Sequence, residues 1–100
     1  MKIELITRKL YFMPHANARV EQTTNGKIMR LISYKTCVAT VIGGWLIVNG
    51  LYSRTTRKHI SAFMREFDRN FQLAKEAFEY GFAVNLDTLE KRYFKTSSVN

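Results

Sequence analysis

The sequence predicts an α+β domain, with a four- to five-stranded antiparallel β-meander packed on one long C-terminal helix and a short second helix. Two observations support this prediction. Short apolar segments separated by Asn-Gly and Gly-Gly pairs fill the first half of the chain. Apolar residues then recur at helical spacing between Ile60 and Phe78. We expect a single domain over 1–100, with the sheet in 1–52, a helical part in 53–95 and a frayed tail in 96–100.

Turn signals define the expected strands. Asn25-Gly26 predicts a type I′ hairpin, because both central positions of that turn need a positive φ. Gly43-Gly44 predicts a second hairpin on the same grounds. The segments 36–42 and 45–48 are apolar on both faces, so we expect them in the centre of the sheet. The expected strands are residues 2–12, 18–24, 27–34, 36–42 and 45–49.

The apolar residues after the sheet predict a helix over residues 55–80, either unbroken or kinked near 68–70. The residues that share its apolar face are Ile60, Phe63, Met64, Phe67, Phe71, Ala74 and Phe78. The candidate capping residues are Ser53, Thr55 and Thr56 at its start and Gly81 at its end. A second, shorter helix is expected over 86–94, where Asp87 and Glu90 have capping-box spacing.

Composition fits a globular domain outside the membrane. The chain has 100 residues, of which 46% are hydrophobic and 24% charged. The best candidate for a membrane span, residues 37–48, is shorter than the roughly 20 residues a spanning helix needs. The N-terminus alternates charged and apolar residues, unlike a secretory signal, and the single cysteine fits a reducing compartment.

The net charge of +8 is unevenly distributed. Residues 1–60 hold ten basic and two acidic residues, whereas residues 61–100 hold six of each. Concentrated positive charge attracts polyanions, and nucleic acid is the commonest such partner. The alternative is a solvated basic surface that keeps the domain soluble.

The candidate binding residues lie in two segments. At the expected helix start, residues 53–58 bring three hydroxyl groups together with three cations, and free N–H groups there can bind phosphate. Residues 27–35 interleave cations with Tyr34, a pattern that can track a phosphate backbone while bases stack. The alternative is that the hydroxyls cap the helix, the cations point into solvent and Tyr34 is a core-edge residue. The predicted nucleic-acid or anion-binding residues are Arg54, Arg57, Lys58, Lys27, Arg30, Lys35, Thr55 and Thr56.

The sequence carries no recognisable catalytic, metal or cofactor site. His15, Cys37 and His59 come from separate segments and do not form a known zinc pattern. Phosphate-binding glycine loops and paired catalytic carboxylates are lacking. Cys37 is interpreted as a small buried hydrophobic residue, with a Cys37–His59 nucleophile pair as the open alternative. We therefore expect a non-enzymatic protein without cofactor or metal.

A pattern of fourteen residues runs through the stretch 33–63. Its members are Ser33, Tyr34, Thr36, Val38, Ala39, Asn49, Gly50, Tyr52, Ser53, Thr55, Thr56, His59, Ile60 and Phe63. This pattern resembles one found in small uncharacterised proteins of bacteriophages. The resemblance implies a phage-type origin and a place in the bacterial cytoplasm, but no specific activity.

Small phage proteins of this length often act on host machinery, including CRISPR defences, and this association suggests two functions. The first is a non-enzymatic protein that engages nucleic acid or a host nucleoprotein complex through its basic surface and inhibits a host defence, as an anti-CRISPR protein does. The second is a protein–protein module or homodimer that acts without nucleic acid. Its expected contact surface combines the short second helix with the exposed apolar residues of the long helix, which are Phe71, Leu73, Phe78 and Tyr80.

Overall fold

In the computed structural model, which describes residues 3–94, a seven-stranded antiparallel sheet packs against two helices. The elements are β1 (Leu5–Lys9), β2 (Ala18–Thr23), β3 (Ile28–Ser33), β4 (Thr36–Ile42), β5 (Trp45–Val48), α1 (Arg54–Arg65), α2 (Phe71–Tyr80), β6 (Phe82–Asn85) and β7 (Lys91–Tyr93). The strands lie side by side in chain order. The α+β class is confirmed, whereas the predicted count of four to five strands is too low.

The predicted long helix over 55–80 is two helices, of 12 and 10 residues. The chain turns between them, where Asp68 adopts a left-handed φ of 58°. Asn70 then starts α2, because its side-chain oxygen accepts the N–H of Leu73 at 3.2 Å. The apolar stripe continues across this break because both helices face the same core.

The predicted short helix over 86–94 is wrong, since the chain there forms a hairpin between β6 and β7. The Asn85 side-chain oxygen accepts the N–H groups of Asp87 and Thr88 at 2.9 and 3.0 Å. An Asx turn of this kind uses the same side-chain chemistry as a helix N-cap. The prediction of a frayed tail over 96–100 lies outside the described residues.

Both expected hairpins are present, with different turns. Gly43 and Gly44 have φ of 56° and 86° and connect the paired residues Ile42 and Trp45, which fits the predicted two-residue turn. In the β2–β3 loop only Gly26 has a positive φ. Asn25 instead accepts the N–H of Lys27 at 3.0 Å through its side chain. The Asn-Gly signal thus located the hairpin but not the type I′ turn.

The core lies between one sheet face and the two helices. Its buried members from the sheet include Val20, Leu31, Ala39, Val41, Leu46 and Val84, and those from the helices include Ile60, Phe63, Met64, Ala74 and Ala77. A register shift pairs Leu31 with Ala39 but Ile32 with Cys37, so β4 has a bulge there. Within residues 3–94 no helix covers the opposite sheet face, and none is long and apolar enough to cross a membrane.

Candidate nucleic-acid interface

Helix α1 presents four cations to solvent. We define the basic face of α1 as Arg54, Arg57, Lys58 and Arg65, all of which are exposed. At 3.6 residues per turn, Arg54, Lys58 and Arg65 lie within about 40° of one another around the axis, and Arg57 lies about 60° to one side of Arg54. The sequence of α1 contains no acidic residue. Within residues 3–94, none of the four cations forms an ion pair.

The inward side of α1 fixes which residues face outward. Ile60, Phe63 and Met64 are fully buried in the core. His59 is 1% exposed, and its Nδ1 lies 2.8 Å from Oγ of the buried Ser33 on β3. Burial lowers the pKa of His59, so the ring is neutral at neutral pH. Because these contacts fix the rotation of α1, its cations must point away from the sheet.

The C-terminal end of α1 is fixed by Glu66. Its carboxylate accepts hydrogen bonds from Nη2 of Arg8 at 2.7 Å and from the N–H of Tyr11 at 3.1 Å. The Glu66 side chain is only 3% exposed. This acid is therefore occupied by β1 and the loop after it and does not offset the charge of the basic face.

Two exposed aromatic side chains, Phe12 and Tyr34, lie near α1. In the β1–β2 loop, Phe12 has its ring centroid 4.4 Å from the Arg65 guanidinium, and it lines a shallow hollow together with Lys58. Tyr34, in the turn between β3 and β4, has its ring centroid 5.9 Å from that of His59. Phe12 thus lies directly beside the basic face, whereas Tyr34 lies beside the buried His59, the residue that follows Lys58 in α1.

The five residues predicted as binding residues on α1 have different environments: the three cations are exposed, whereas the two threonines are buried or half-buried. Arg54, Arg57 and Lys58 belong to the basic face. Thr56 is buried, and its N–H donates to the N-cap Ser53 Oγ at 3.1 Å. Thr55 is half-buried. The helix start therefore shows the capping arrangement that was the alternative to a phosphate site.

The residues predicted on the strands do not come together. Lys35 lies next to Tyr34, at the same end of the sheet as His59. Lys27 lies in the loop at the opposite end of β3, roughly 20 Å away at about 3.3 Å per residue. Arg30 pairs with Glu21 at 2.6 Å on the uncovered sheet face, and this hydrogen bond lowers the pKa of the Glu21 carboxyl.

Sequence reasoning missed Arg65 and Phe12. Arg65 is not among the binding residues predicted from the sequence, and Phe12 falls within the strand expected over residues 2–12. A signal was available for Arg65, because its spacing from Arg54 and Lys58 puts all three on one line along a helix. No comparable signal existed for Phe12, since its contact with Arg65 depends on the path of the loop.

The residues weighed as catalytic or metal-binding make separate contacts. Cys37 is half-buried, and its Sγ lies 3.6 Å from the Ala39 carbonyl oxygen and 3.6 Å from Thr40 Oγ1. His59 contacts Ser33 instead, in a buried pair that a substrate cannot reach. In the described part of the chain, no three His, Cys, Asp or Glu residues are grouped so as to hold a metal ion.

Comparison with known proteins adds a family but no activity. No curated protein and no solved structure matches the chain. The sequence profile of a family of unknown function, DUF8033, matches residues 1–79. The match extends well beyond residues 33–63 on both sides and includes the whole basic face of α1 and the β1–β2 loop. The chain therefore belongs to this family of unknown function.

Proposed function

We propose that this protein binds nucleic acid, without catalysis, through the basic face of α1. The observation that carries the proposal is the row of four exposed cations on a helix that contains no acidic residue. The 12 residues of the helix extend about 18 Å, long enough to meet several phosphates of one strand. Each phosphate contact releases condensed counterions, and this release supplies a large share of the binding free energy.

The ion pairs elsewhere in the molecule support this proposal over a merely solvated surface. Arg8 pairs with Glu66, and Arg30 pairs with Glu21. By contrast, Arg54, Arg57 and Lys58 sit in the N-terminal half of α1, where the helix dipole disfavours positive charge. Cations kept unpaired in an unfavourable position are a local inconsistency of the kind that functional sites show.

The biological setting of the proposal comes from the resemblance of residues 33–63 to phage proteins. A phage-type origin, a bacterial cytoplasmic location and inhibition of a host defence complex stay predictions. The basic face of α1 suits bare nucleic acid as well as nucleic acid exposed within a nucleoprotein complex, because the phosphate chemistry is the same.

A protein–protein function through α2 is the second candidate. Phe78 and Tyr80 are exposed, but they are two positions apart in α2 and point to different sides of the helix. Phe71 and Leu73, which were expected on the same surface, are instead packed against the core. Two of the four expected contact residues are thus used inside the fold, and the short helix of the same surface is the β6–β7 hairpin.

Binding of fluorescently labelled oligonucleotides, followed by anisotropy at low salt, tests the proposal. We expect the Arg54→Glu/Lys58→Glu variant to lose at least tenfold in affinity. The matched control is Lys27→Glu/Lys91→Glu, which changes the net charge equally at residues away from α1 and is expected to stay within about twofold of wild type. Equal losses in the two variants, or no binding by the wild type, would refute the proposal. A salt-insensitive dimer in size-exclusion chromatography would favour the second candidate.

A further inference from the structure

Two aromatic rings that the fold leaves exposed to solvent lie near α1, Phe12 beside Arg65 of the basic face and Tyr34 beside the buried His59. Phe12 is 46% exposed and Tyr34 is 53% exposed. The β1–β2 loop links them, because Phe12 lies near its start and Asn17, at its end, accepts the N–H of Tyr34 at 2.8 Å. Surfaces that bind single-stranded nucleic acid have two components, cations that contact the phosphates and exposed aromatic rings that stack with the bases.

Tyr34 is held in a conformation that its residue type disfavours. It occupies a two-residue turn between Ser33 and Thr36 with a φ of 56°, in the left-handed region. A bulky side chain is uncommon there, whereas Gly or Asn fits at little cost. The backbone is fixed on both sides, since Asn17 accepts its N–H and Arg19 lies within 3.5 Å of its carbonyl oxygen. The fold thus holds Tyr34 in a strained backbone conformation and leaves its ring exposed to solvent.

Phe12 forms a cation–π contact with Arg65, and base-stacking sites use the same two kinds of group. The Arg65 guanidinium lies 4.4 Å from its ring centroid, which orders both groups at the C-terminal end of the basic face. Planar guanidinium groups and aromatic rings both accept an unstacked base on their faces. This end of α1 therefore offers a stacking site within reach of the positive charge of Lys58.

The flanks of α1 argue against entry into a duplex groove. On one side Phe12 and Met13 line a hollow with Lys58, and on the other Tyr52 and Phe78 line one with Arg57. A helix that enters the major groove must project from the protein surface, whereas α1 has side chains of neighbouring segments on both sides. In a duplex, moreover, the base faces are already stacked and cannot use exposed rings.

We infer that the ligand of this surface is single-stranded nucleic acid, with phosphates on the basic face of α1 and bases stacked on Phe12 and Tyr34. This inference rests on the proposed nucleic-acid function and specifies its substrate class. Stacking tolerates any base, because every base has a π face, so binding is expected to depend little on sequence.

The test compares a labelled single-stranded 20-mer with the duplex of the same sequence, using wild type, Phe12→Leu, Tyr34→Asn and the control Tyr80→Ala. Phe12→Leu keeps an apolar contact with Arg65, and Tyr34→Asn suits the left-handed turn, so both should fold. We expect wild type to prefer the single strand, and each aromatic variant to lose about fivefold or more in single-strand affinity. The affinity of each aromatic variant for the duplex should equal that of wild type, and Tyr80→Ala should bind the single strand as tightly as wild type does.

The outcomes separate this inference from the proposed function. If duplex binds as well as single strand, or both aromatic variants bind single strands like wild type, the inference is overturned. Loss of binding in Arg54→Glu/Lys58→Glu under those conditions would still support the proposed function. If wild type binds neither oligonucleotide at low salt, both proposals are overturned.

Discussion

Removing the Glu66 carboxylate is expected to destabilise the fold by about 2–3 kcal/mol. Glu66 accepts from Nη1 and Nη2 of Arg8 at 3.3 and 2.7 Å and from the N–H of Tyr11 at 3.1 Å. A hydrogen bond to a charged group contributes about 1.5–3 kcal/mol, and breaking a fully buried pair costs about 3–5 kcal/mol. The Arg8 side chain is 17% exposed and keeps a 2.8 Å bond to Gln22, so the cost should be below that upper range.

Thermal and urea unfolding of Glu66→Ala measure this effect. A domain of this size loses about 4–8 °C in Tm per kcal/mol, so a loss of about 2–3 kcal/mol should lower Tm by roughly 8–24 °C. Glu79→Ala is the matched control, because its exposed pair with Lys75, at 4.0 Å, should contribute less than about 0.5 kcal/mol. A double-mutant cycle with Arg8→Met should return a coupling above about 1 kcal/mol. If Glu66→Ala is no more destabilising than Glu79→Ala, Glu66 does not fix α1 to β1 as described.

Three further changes test particular elements. Burial holds the pKa of His59 below its unfolded value of about 6.5. The free energy of unfolding should therefore be highest above pH 6.5 and decline below it, by at most about 1.4 kcal/mol per pH unit. Urea unfolding at pH 7.5 and 5.5 should show this decline in wild type but not in His59→Gln. Tyr34→Asn should raise stability by about 0.5–1 kcal/mol in thermal unfolding, because Asn tolerates the left-handed turn, and an unchanged or lower Tm would argue against strain at Tyr34. Gly81→Ala should lose about 1 kcal/mol, since Gly81 ends α2 with a φ of 71°, and a neutral result would contradict that role.

Local signals in the sequence located most of the sheet and the apolar faces of the helices. Gly43-Gly44 predicted its turn because both residues must adopt a positive φ, which glycine does without steric cost. The apolar stripe from Ile60 onward predicted the buried side of both helices, but it could not reveal the break between them. A stripe records only which side is buried, and both helices bury theirs in one core.

The hairpin of β6 and β7 was missed because its signals are ambiguous. Asn85 accepts hydrogen bonds from two following N–H groups, a pattern that starts helices and closes turns alike. The two strands have only four and three residues, too few to show the alternation of buried and exposed positions.

The candidate site was only partly predictable, since it depends on contacts between distant segments. Arg54 and Lys58 could be found from the charge at the helix start, and Arg65 from helical spacing. The contact of Phe12 with Arg65 and that of Tyr34 with His59 depend on the paths of two loops of the sheet relative to α1, which no local pattern encodes. Lys27, although close to Lys35 in sequence, lies at the other end of the sheet, because the full length of β3 separates them.

The salt dependence of affinity for a single-stranded oligonucleotide tests the central claim most directly. If the four cations of the basic face each neutralise one phosphate, log K plotted against log salt should have a slope near −2.8, which means a loss of about 50-fold between 50 and 200 mM salt. Arg54→Gln/Lys58→Gln should reduce the slope to about −1.4, whereas Lys27→Gln/Lys91→Gln should leave it unchanged. A slope near zero in wild type, or the same slope in Arg54→Gln/Lys58→Gln as in wild type, would contradict binding through α1.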